Sequence, residues 1–302
     1  MAAKKSTNGR TLAFAMLERA APGLGAKLLD RIWFRLPAVS EKARRLRVEL
    51  PEPTLFEVPF GEGTLHGKSY GDGPTIYLVH GWGGWGLQLA AYIPPLLADG
   101  FRVVAYDGPS HGGSSAGPEG PHRSTMPELA DAFEAVVAAQ GPAYGVIAHS
   151  LGAAAISQAL KRGLRATKIV FLATATDFRP TLDLFQAYLG FGPRVRDRFL
   201  RRFARKFGPM EDFVVSSVIE KLTGLPELLV IHDRGDRETP YEGSVRLAEV
   251  WPGARIELTE RLGHNGVLWD PAVVESARSF FAASEDRAPR DQVGTVQETM
   301  QG

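Results

Sequence analysis

The spacing of hydrophobic residues along the chain predicts short strands that alternate with amphipathic helices. Short apolar runs, typical of buried strands, fall at 54–60, 64–70, 75–79, 102–106, 144–148, 168–173, 227–232 and 254–258. Apolar residues recur at helical spacing over 126–139, 151–162, 241–250 and 271–283. This alternation predicts an α/β fold, with a mostly parallel sheet and helices on both of its faces.

Three regions depart from this alternation. Residues 1–50 predict a basic helical arm, because apolar residues from Leu24 to Leu36 recur at helical spacing among many lysines and arginines. Residues 177–225 show no strand pattern and many aromatic and arginine residues, so we expect a helical cap inserted over the sheet. Residues 284–302 are polar and aperiodic and predict a flexible tail. The main domain is therefore expected at 51–283.

Composition narrows the range of functions. The 302 residues carry a formal net charge of +1 and match no nucleic-acid motif, so we expect no nucleic-acid partner. The chain has no cysteine, which excludes disulfides, thiol nucleophiles and cysteine-bound metals and fits a cytoplasmic protein. No apolar run is long enough to span a bilayer. We expect no cleaved signal peptide, because Glu18 and Arg19 end the apolar stretch Thr11–Leu17 early.

The segment from Ala148 to Gly152 follows a predicted strand and opens a predicted helix. A sharp strand-to-helix turn needs small residues beside its central residue, and it lifts that residue, here Ser150, above the edge of the sheet. Ser150 is therefore a candidate nucleophile; the alternative is that it only caps the helix. The usual pattern has glycine in place of Ala148, and alanine is small enough for the same turn.

A glycine-rich loop, His80 to Gly84, follows the predicted strand at 75–79. Acyl transfer to a serine produces an oxyanion that two backbone N–H groups can stabilise. The candidates are the N–H of Trp82 on this loop and the N–H of Leu151, directly after Ser150. A plain glycine turn is the alternative interpretation of the loop.

Two further loops offer an acid and a base. Asp236 follows the strand at 227–232, and a carboxylate there can orient an imidazole. Asp233 and Asp177 are alternative acids, and an aspartate in such a loop can instead serve only its own turn. His264, between the last strand and the last helix, is a candidate general base because histidine exchanges protons near neutral pH. All these loops leave the carboxyl ends of predicted parallel strands, where open α/β sheets bind ligands.

Over residues 54–283 the sequence resembles the α/β-hydrolase superfamily. The resembling segments are Val79–Gly84, Ala105–Gly112, Ala148–Gly152, Asp236–Pro240 and Gly263–His264. The resemblance implies an eight-stranded sheet with a helical cap after the sixth strand. It also implies Ser150, Asp236 and His264 as nucleophile, acid and base, with Trp82 and Leu151 as the oxyanion hole. The arm lies outside the common core and looks like that of some uncharacterised bacterial hydrolases, so the resemblance names no substrate.

These residues predict a serine hydrolase that cleaves a small-molecule carboxylic ester through an acyl-enzyme. Acyl transfer, perhydrolysis and lipid deacylation on the same triad remain alternatives, as does a non-catalytic binding protein of this fold. We expect no metal, because no pair of histidines has the spacing of metal ligands, and we expect no cofactor. Of the other histidines, His111 and His232 are expected to serve only local structure.

Substrate contacts are expected from Trp82, His149, Phe185 and Tyr188, of which the last two belong to the aromatic stripe of the predicted cap. Seven basic residues between Arg194 and Lys206 accompany that stripe. Together with the basic arm, they are compatible with a peripheral contact with anionic membranes. The alternative, which we favour, is an amphipathic helix that packs its aromatic face inward and leaves its basic face in water.

Overall fold

The computed structural model describes residues 9–40 and 44–283. It has eight strands: β1 (Thr54–Phe60), β2 (Gly63–Tyr70), β3 (Thr75–Val79), β4 (Arg102–Tyr106), β5 (Gly145–His149), β6 (Lys168–Leu172), β7 (Glu227–Asp233) and β8 (Arg255–Thr259). All eight belong to one sheet, in the order β1-β2-β4-β3-β5-β6-β7-β8. The strands β1 and β2 form an antiparallel hairpin, β2 pairs antiparallel with β4, and the remaining pairs are parallel.

The predicted mostly parallel sheet is thus confirmed. The strands β3, β5 and β6 are buried along their whole length, which explains why the sequence shows them as continuous apolar runs. Because parallel strands end at the same edge of the sheet, the loops that follow β3, β5, β7 and β8 open on one edge.

Eleven α-helices occur in the described residues: α1 (Gly9–Ala20), α2 (Pro22–Trp33), α3 (Ile93–Ala98), α4 (Met126–Gln140), α5 (Leu151–Lys161), α6 (Arg179–Leu189), α7 (Pro193–Phe207), α8 (Val215–Ile219), α9 (Tyr241–Val250), α10 (Gly263–Gly266) and α11 (Pro271–Ala282). They flank the sheet, and alternate residues of β3 enter two separate cores. Tyr77 and Val79 pack with residues of α4 and α5, whereas Ile76 and Leu78 pack with residues of α3 and α11. The sheet therefore supports helices on both faces.

Local sequence explains where α4 starts. Thr125 Oγ1 accepts a hydrogen bond from Glu128 N (3.2 Å) and donates one to the Glu128 carboxylate (3.0 Å), as in the capping-box pattern of a threonine followed three residues later by a glutamate. By contrast, the sequence predicts no helix between β3 and β4, where the structure has a 3-10 segment (Gly86–Tyr92) and α3. The two prolines in the first turn of α3 hide it, although proline is tolerated at that position.

The cap consists of α6, α7, α8 and their loops, all between β6 and β7. Along α7, Val195, Phe199 and Phe203 are buried, whereas Arg198 and Arg201 are exposed. The aromatic side of this helix therefore packs inward, and its arginines face solvent, as the favoured alternative predicts.

The N-terminal arm is helical only as far as Trp33, where α2 ends; the apolar spacing predicts helix as far as Leu36. Beyond that point Leu36 N donates to His122 O (2.9 Å), and Arg35 forms an isolated antiparallel bridge. Pro37 restricts the residue before it to extended conformations, which accounts for the early end of the helix.

Parts of the predicted organisation lie outside the described residues, namely the tail at 284–302 and residues 1–8 and 41–43 of the arm. The two described helices of the arm, α1 and α2, contact α6 and α7 of the cap. None of the helices that the structure describes has the length and apolar character needed to cross a membrane.

The carboxylate of Glu18 binds the arm to the cap. Glu18, near the end of α1, accepts hydrogen bonds from the backbone N–H groups of Gly192 (3.1 Å), Arg194 (2.8 Å) and Val195 (3.0 Å) at the start of α7. The first N–H groups of a helix have no partner within it, and a negative charge there also interacts favourably with the helix dipole. A Cβ on Gly192 would lie 2.6 Å from the Glu18 carboxyl carbon, so glycine makes this approach possible.

Replacing Glu18 by alanine should lower the free energy of unfolding by about 1–3 kcal/mol, because three backbone donors lose a charged acceptor. Chemical denaturation of both proteins measures this difference. Glu62, exposed in the turn between β1 and β2, offers a matched control, and Glu62→Ala should change stability by less than about 0.5 kcal/mol. Equal stability of Glu18→Ala and wild type would contradict the fastening role.

Contact with an anionic membrane stays a prediction of the basic arm and cap. One lysine of α2 and four arginines of α7 line an open groove between these helices: Lys27, Arg198, Arg201, Arg202 and Arg205. If the groove binds lipid head groups, Arg198→Glu with Arg205→Glu should reduce co-sedimentation with phosphatidylglycerol vesicles. The control, Arg165→Glu with Arg246→Glu, changes two exposed arginines elsewhere and should bind more strongly than the groove variant. Equal binding of the two double variants would show that the groove takes no part in membrane contact.

Candidate active site

Ser150 lies on a sharp turn between β5 and α5. Its backbone has φ 53° and ψ −120°, a positive φ that is strained in a residue with a side chain. Hydrogen bonds hold the turn in this shape, because Ser150 N donates to Leu172 O (2.9 Å) and Ser150 O accepts from Ala153 N (3.1 Å) and Ala175 N (3.2 Å). The strained turn directs the hydroxyl away from the edge of the sheet.

Glycine at two positions brings the neighbouring backbones close enough for this turn. A Cβ on Gly152 would lie 2.6 Å from His80 O and 2.8 Å from Val79 O, and a Cβ on Gly81 would lie 2.9 Å from the Cβ of Ser150. Any side chain there would push α5 and the His80–Gly84 loop apart. The alanine at 148, where glycine is usual, is fully buried in β5 and is accommodated.

The structure brings Ser150, His264 and Asp236 together. Ser150 Oγ lies 3.0 Å from His264 Nε2, and His264 Nδ1 lies 2.7 Å from Asp236 Oδ2. Since the carboxylate can only accept, His264 Nδ1 carries the hydrogen and Nε2 accepts from the Ser150 hydroxyl. Ser150 is 8% exposed, His264 is 9% exposed, and the side chain of Asp236 is fully buried. Bulk water therefore competes little for these hydrogen bonds.

Five donors surround the carboxylate of Asp236. Oδ2 accepts from His264 Nδ1, His232 Nε2 (3.1 Å) and Thr239 Oγ1 (2.9 Å), and Oδ1 accepts from Glu238 N (2.8 Å) and Thr239 N (3.0 Å). Burial alone would raise the pKa of Asp236, but the hydrogen bonds from His232, His264 and the backbone outweigh it and lower the pKa well below its usual range. The carboxylate therefore stays charged and can hold His264 in one tautomer.

The two alternative acids have other partners. Asp233, buried at the end of β7, accepts from Leu262 N (3.0 Å) and from a threonine hydroxyl. Burial acts to raise its pKa, but these hydrogen bonds outweigh it and the pKa is lowered. Asp233 thus orders the loop that leads to His264. Asp177 forms an ion pair with Arg179 at the start of the cap.

His232 has a part in the site that the sequence analysis misses. It is fully buried, its Nε2 contacts Asp236 Oδ2, and its Nδ1 lies 2.7 Å from Ser244 Oγ. The carboxylate of Asp236 is thus held between the imidazoles of His232 and His264. A signal exists in the four-residue spacing of His232 and Asp236, because a tight turn after a strand brings such residues together.

The two residues predicted to form the oxyanion hole, Trp82 and Leu151, lie beside Ser150. Trp82 and Leu151 line the same cavity as Ser150 and His264. Leu151 is the first residue of α5, so its N–H has no acceptor within the helix. Trp82 follows Gly81, whose close approach to Ser150 brings the loop alongside the hydroxyl. The positions of Trp82 and Leu151 are therefore compatible with the predicted oxyanion hole.

Two neutral histidines brace the His80–Gly84 loop. Gly108 N donates to His80 Nε2 (2.9 Å), and Gly83 N donates to His111 Nε2 (3.2 Å). Burial lowers the pKa of both rings, and burial together with the neighbouring His80 lowers that of His111 to about 3. Both rings therefore remain acceptors at neutral pH, and the expected local structural role of His111 includes support of the loop that carries Trp82.

The hydroxyl of Ser150 opens on a cavity of about 240 Å³ beneath the cap. Aromatic side chains from the arm, the glycine-rich loop and the cap dominate its lining: Trp33, Phe34, Trp82, Phe178, Phe185, Phe203, Phe207 and Phe213. Among the described residues of the lining, Glu238 is the one carboxylate, and its Oε2 lies 4.0 Å from His264 Nε2. An apolar cavity with few polar groups beside a hydroxyl suits an uncharged hydrophobic group.

Two of the four expected substrate contacts line this cavity, Trp82 and Phe185. His149 is buried outside the lining, where its Nε2 donates to His264 O (3.1 Å). Burial, followed by repulsion from His264, lowers the pKa of His149 to about 3. Tyr188 is 68% exposed, because α6 turns a stripe containing Phe185 inward and Tyr188 falls outside it. The positions of His149 and Tyr188 therefore do not support the predicted contacts with substrate.

A model of the Alpha/beta hydrolase family matches residues 76–277. The chain belongs to the alpha/beta hydrolase family. The match begins in β3 and ends within α11, so it includes Ser150, Asp236 and His264 and leaves the N-terminal arm outside.

Curated relatives match shorter stretches of this alpha/beta hydrolase. A protein of Mycobacterium bovis with the name "Probable oxidoreductase EphD" is 37% identical over 100 residues, which are 30% of this chain and 15% of that protein. A pimeloyl-[acyl-carrier protein] methyl ester esterase of Nitrosospira multiformis is 32% identical over 123 residues, 39% of this chain and 45% of that protein. The chain therefore spans less than half the length of these relatives.

Solved structures show the same fold over most of the chain. A bromoperoxidase from Bacillus anthracis superposes with a TM-score of 0.58 at 17% identity, over 76% of this chain and 99% of that chain. An esterase from Exiguobacterium antarcticum gives a TM-score of 0.57 at 16% identity, over 74% of this chain and 98% of that chain. These likenesses establish the fold, and the chemistry of this alpha/beta hydrolase rests on its own site.

If Asp236 orients His264, then Asp236→Asn should reduce kcat for an ester substrate by about 10⁴-fold, because an amide no longer enforces the required tautomer. Steady-state kinetics with p-nitrophenyl butyrate measures the change. Asp177→Asn, at the start of the cap, is the matched control and should keep kcat close to wild type. A larger loss in Asp177→Asn or Asp233→Asn than in Asp236→Asn would show that another carboxylate is the acid.

Proposed function

We propose that this alpha/beta hydrolase is a serine esterase that cleaves carboxylic esters through an acyl-enzyme on Ser150. One observation carries the proposal, namely the hydrogen-bonded series Asp236, His264 and Ser150 beside an apolar cavity. A serine hydroxyl becomes a useful nucleophile only when a base contacts it and a third group orients that base. The series offers both, and an uncharged acyl group fits the cavity.

In the first half of the reaction, Ser150 Oγ attacks the ester carbonyl carbon while its proton passes to His264 Nε2. Asp236 stabilises the imidazolium and keeps its own negative charge. The tetrahedral oxyanion accepts hydrogen bonds from the N–H groups of Trp82 and Leu151. As the intermediate collapses, the leaving alkoxide takes the proton from His264 Nε2, and the acyl group stays on Ser150.

In the second half, a water molecule gives a proton to His264 Nε2 as its oxygen attacks the acyl carbon. The same two N–H groups stabilise the second oxyanion. The bond between the acyl carbon and Ser150 Oγ then breaks, and the proton on His264 Nε2 returns to Oγ. The products are an alcohol and a carboxylic acid, and the enzyme regains its starting state.

The cavity favours a short or medium, uncharged acyl group. Its volume of about 240 Å³ lies below the roughly 300–1,000 Å³ of pockets that enclose drug-sized ligands. Glu238 lies on the cavity lining, and its negative charge disfavours an acyl group that carries a free carboxylate. One curated relative and one structural neighbour are esterases by name, which supports the ester as the bond that is cleaved.

Replacing Ser150 by alanine should reduce kcat for p-nitrophenyl butyrate by about six orders of magnitude, because the nucleophile is lost. Ser157, on the same helix, donates to Ala153 O (2.9 Å) and lies outside the cavity lining, so Ser157→Ala is the matched control and should keep wild-type turnover. Turnover of the Ser150→Ala protein at the wild-type rate would remove this residue from the mechanism.

Two further readouts separate the alternatives that share this fold. A fluorophosphonate probe reacts with an activated serine, so it should label the wild type and not Ser150→Ala, whereas a binding protein of this fold would not react. Product analysis with and without an added alcohol then distinguishes hydrolysis, which yields the free acid, from acyl transfer, which yields a new ester.

A further inference from the structure

The N-terminal arm lies outside the residues matched by the family model, yet it forms part of the wall beside Ser150. Trp33, the last residue of α2, and Phe34 line the cavity together with Ser150 and His264. Trp33 is partly buried, and Phe34 is 5% exposed. The arm therefore helps to enclose the space next to the hydroxyl of Ser150.

Both rings are packed against the phenylalanines of the cap. The ring centroid of Trp33 lies 5.2 Å from that of Phe185 and 5.7 Å from that of Phe199, and both pairs have an edge-to-face geometry. The ring of Phe34 stacks on Phe203 at 6.3 Å with an interplanar angle of 13°. Such offset and edge-on arrangements are the favoured geometries of aromatic pairs. The arm and the cap therefore form one continuous aromatic wall.

The backbone that carries these rings is held on its other side by the segment before α4. Ser124 N donates to Phe34 O (3.2 Å), and Leu36 N donates to His122 O (2.9 Å). Because backbone hydrogen bonds fix both the position and the direction of this short stretch, the aromatic ring of Phe34 has a defined place in the wall.

Close packing between the helices fixes the other end of the arm. A Cβ on Gly25 would lie 2.6 Å from Val195 Cγ2, so the absence of a side chain lets α2 lie directly on α7. The carboxylate of Glu18 then binds the backbone of the first turn of α7. These two contacts hold the arm directly against α7, whose Phe203 and Phe207 line the cavity together with Trp33.

We propose that the arm is part of the acyl-binding site, in which Trp33 and Phe34 limit the length of the acyl chain and Glu18 is a positioning residue that keeps the arm on the cap. This inference rests on the proposed esterase function, because it assigns the cavity to the acyl group of an ester. The substrate class is an ester of an apolar acyl group that ends against the indole of Trp33. Removing that indole extends the cavity into the space between α2 and the cap.

The test compares kcat/KM of the full chain for p-nitrophenyl acetate, butyrate and octanoate. Trp33→Ala should raise the octanoate-to-butyrate ratio by at least about 10-fold, since a single methylene in an apolar pocket changes kcat/KM by about 10–200-fold. Phe34→Ala should shift the ratio in the same direction. Acetate, whose acyl group is too short to reach the wall, is the reference substrate against which the other two rates are compared.

Three controls accompany these variants. Trp269 is 37% exposed, and Arg47 stacks on its ring outside the cavity, so Trp269→Ala should keep the wild-type ratio. Leu24→Ala changes an exposed side chain of α2 itself and should also keep the ratio. Trp33→Phe retains an aromatic wall and should restore a ratio near wild type, which separates the wall from the folding of the arm.

The positioning role of Glu18 has its own readout. Glu18→Gln keeps the size of the side chain and removes the charge that binds the start of α7. It should change KM for octanoate while kcat for acetate stays constant, because the acyl wall is displaced and the hydroxyl of Ser150 is not. A Glu18→Gln protein with the wild-type KM for every ester would overturn this part of the proposal.

The outcomes distinguish the arm from the esterase function. If a fluorophosphonate labels Ser150 and the folded Trp33→Ala and Phe34→Ala proteins keep the wild-type ratio, the arm proposal is overturned and the esterase function stands. If Trp33→Ala does not fold, Trp33→Leu, which keeps a buried apolar side chain but shortens the wall, carries the same prediction. If the wild type neither cleaves esters nor reacts with the probe, the proposed function fails, and the arm proposal fails with it.

Discussion

The hydrogen bond between Ser150 Oγ and His264 Nε2 joins residues 114 positions apart in the chain, and the surrounding structure holds its two ends in place. Strain at Ser150 is sustained by backbone hydrogen bonds and by the close approach of α5 to β3 at Gly152. At the other end, Asp233 orders the loop before His264, and Asp236 fixes the imidazole ring. The distance between Ser150 Oγ and His264 Nε2 therefore depends on all of these interactions.

Much of this arrangement can be read from the sequence because it depends on local signals. Continuous apolar runs identify the buried parallel strands, and the edge at which such strands end is where their loops meet. Small residues around Ser150 predict the turn, since only they allow the backbones to approach. The acid is harder to choose, because Asp233 ends β7 and Asp236 follows in the next loop. Only their partners in three dimensions distinguish the residue that orders the loop from the one beside His264.

The features that sequence reasoning misses depend on packing between distant segments. No local pattern shows that Trp33 and Phe34 reach the cavity, since their place follows from contacts of α2 with α7 and of the arm with the segment before α4. Tyr188 is the reverse case, because the sequence predicts a substrate contact for it and the structure leaves it exposed. A place in an aromatic stripe does not determine which residues of a helix face inward. The arm and the cap, separated by six strands in sequence, thus line the same cavity.

The proposed reaction depends on a covalent acyl-enzyme on Ser150, and a substrate that acylates quickly and deacylates slowly would make this intermediate observable. After incubation with a p-nitrophenyl dialkylcarbamate, mass spectrometry of the intact protein and of its peptides locates any carbamoyl group. We expect a single carbamoyl group per chain on the peptide that contains Ser150, with release of one equivalent of p-nitrophenolate. Ester turnover by a protein that acquires no carbamoyl group, or acquires it on another residue, would show that Ser150 is not the acylated nucleophile.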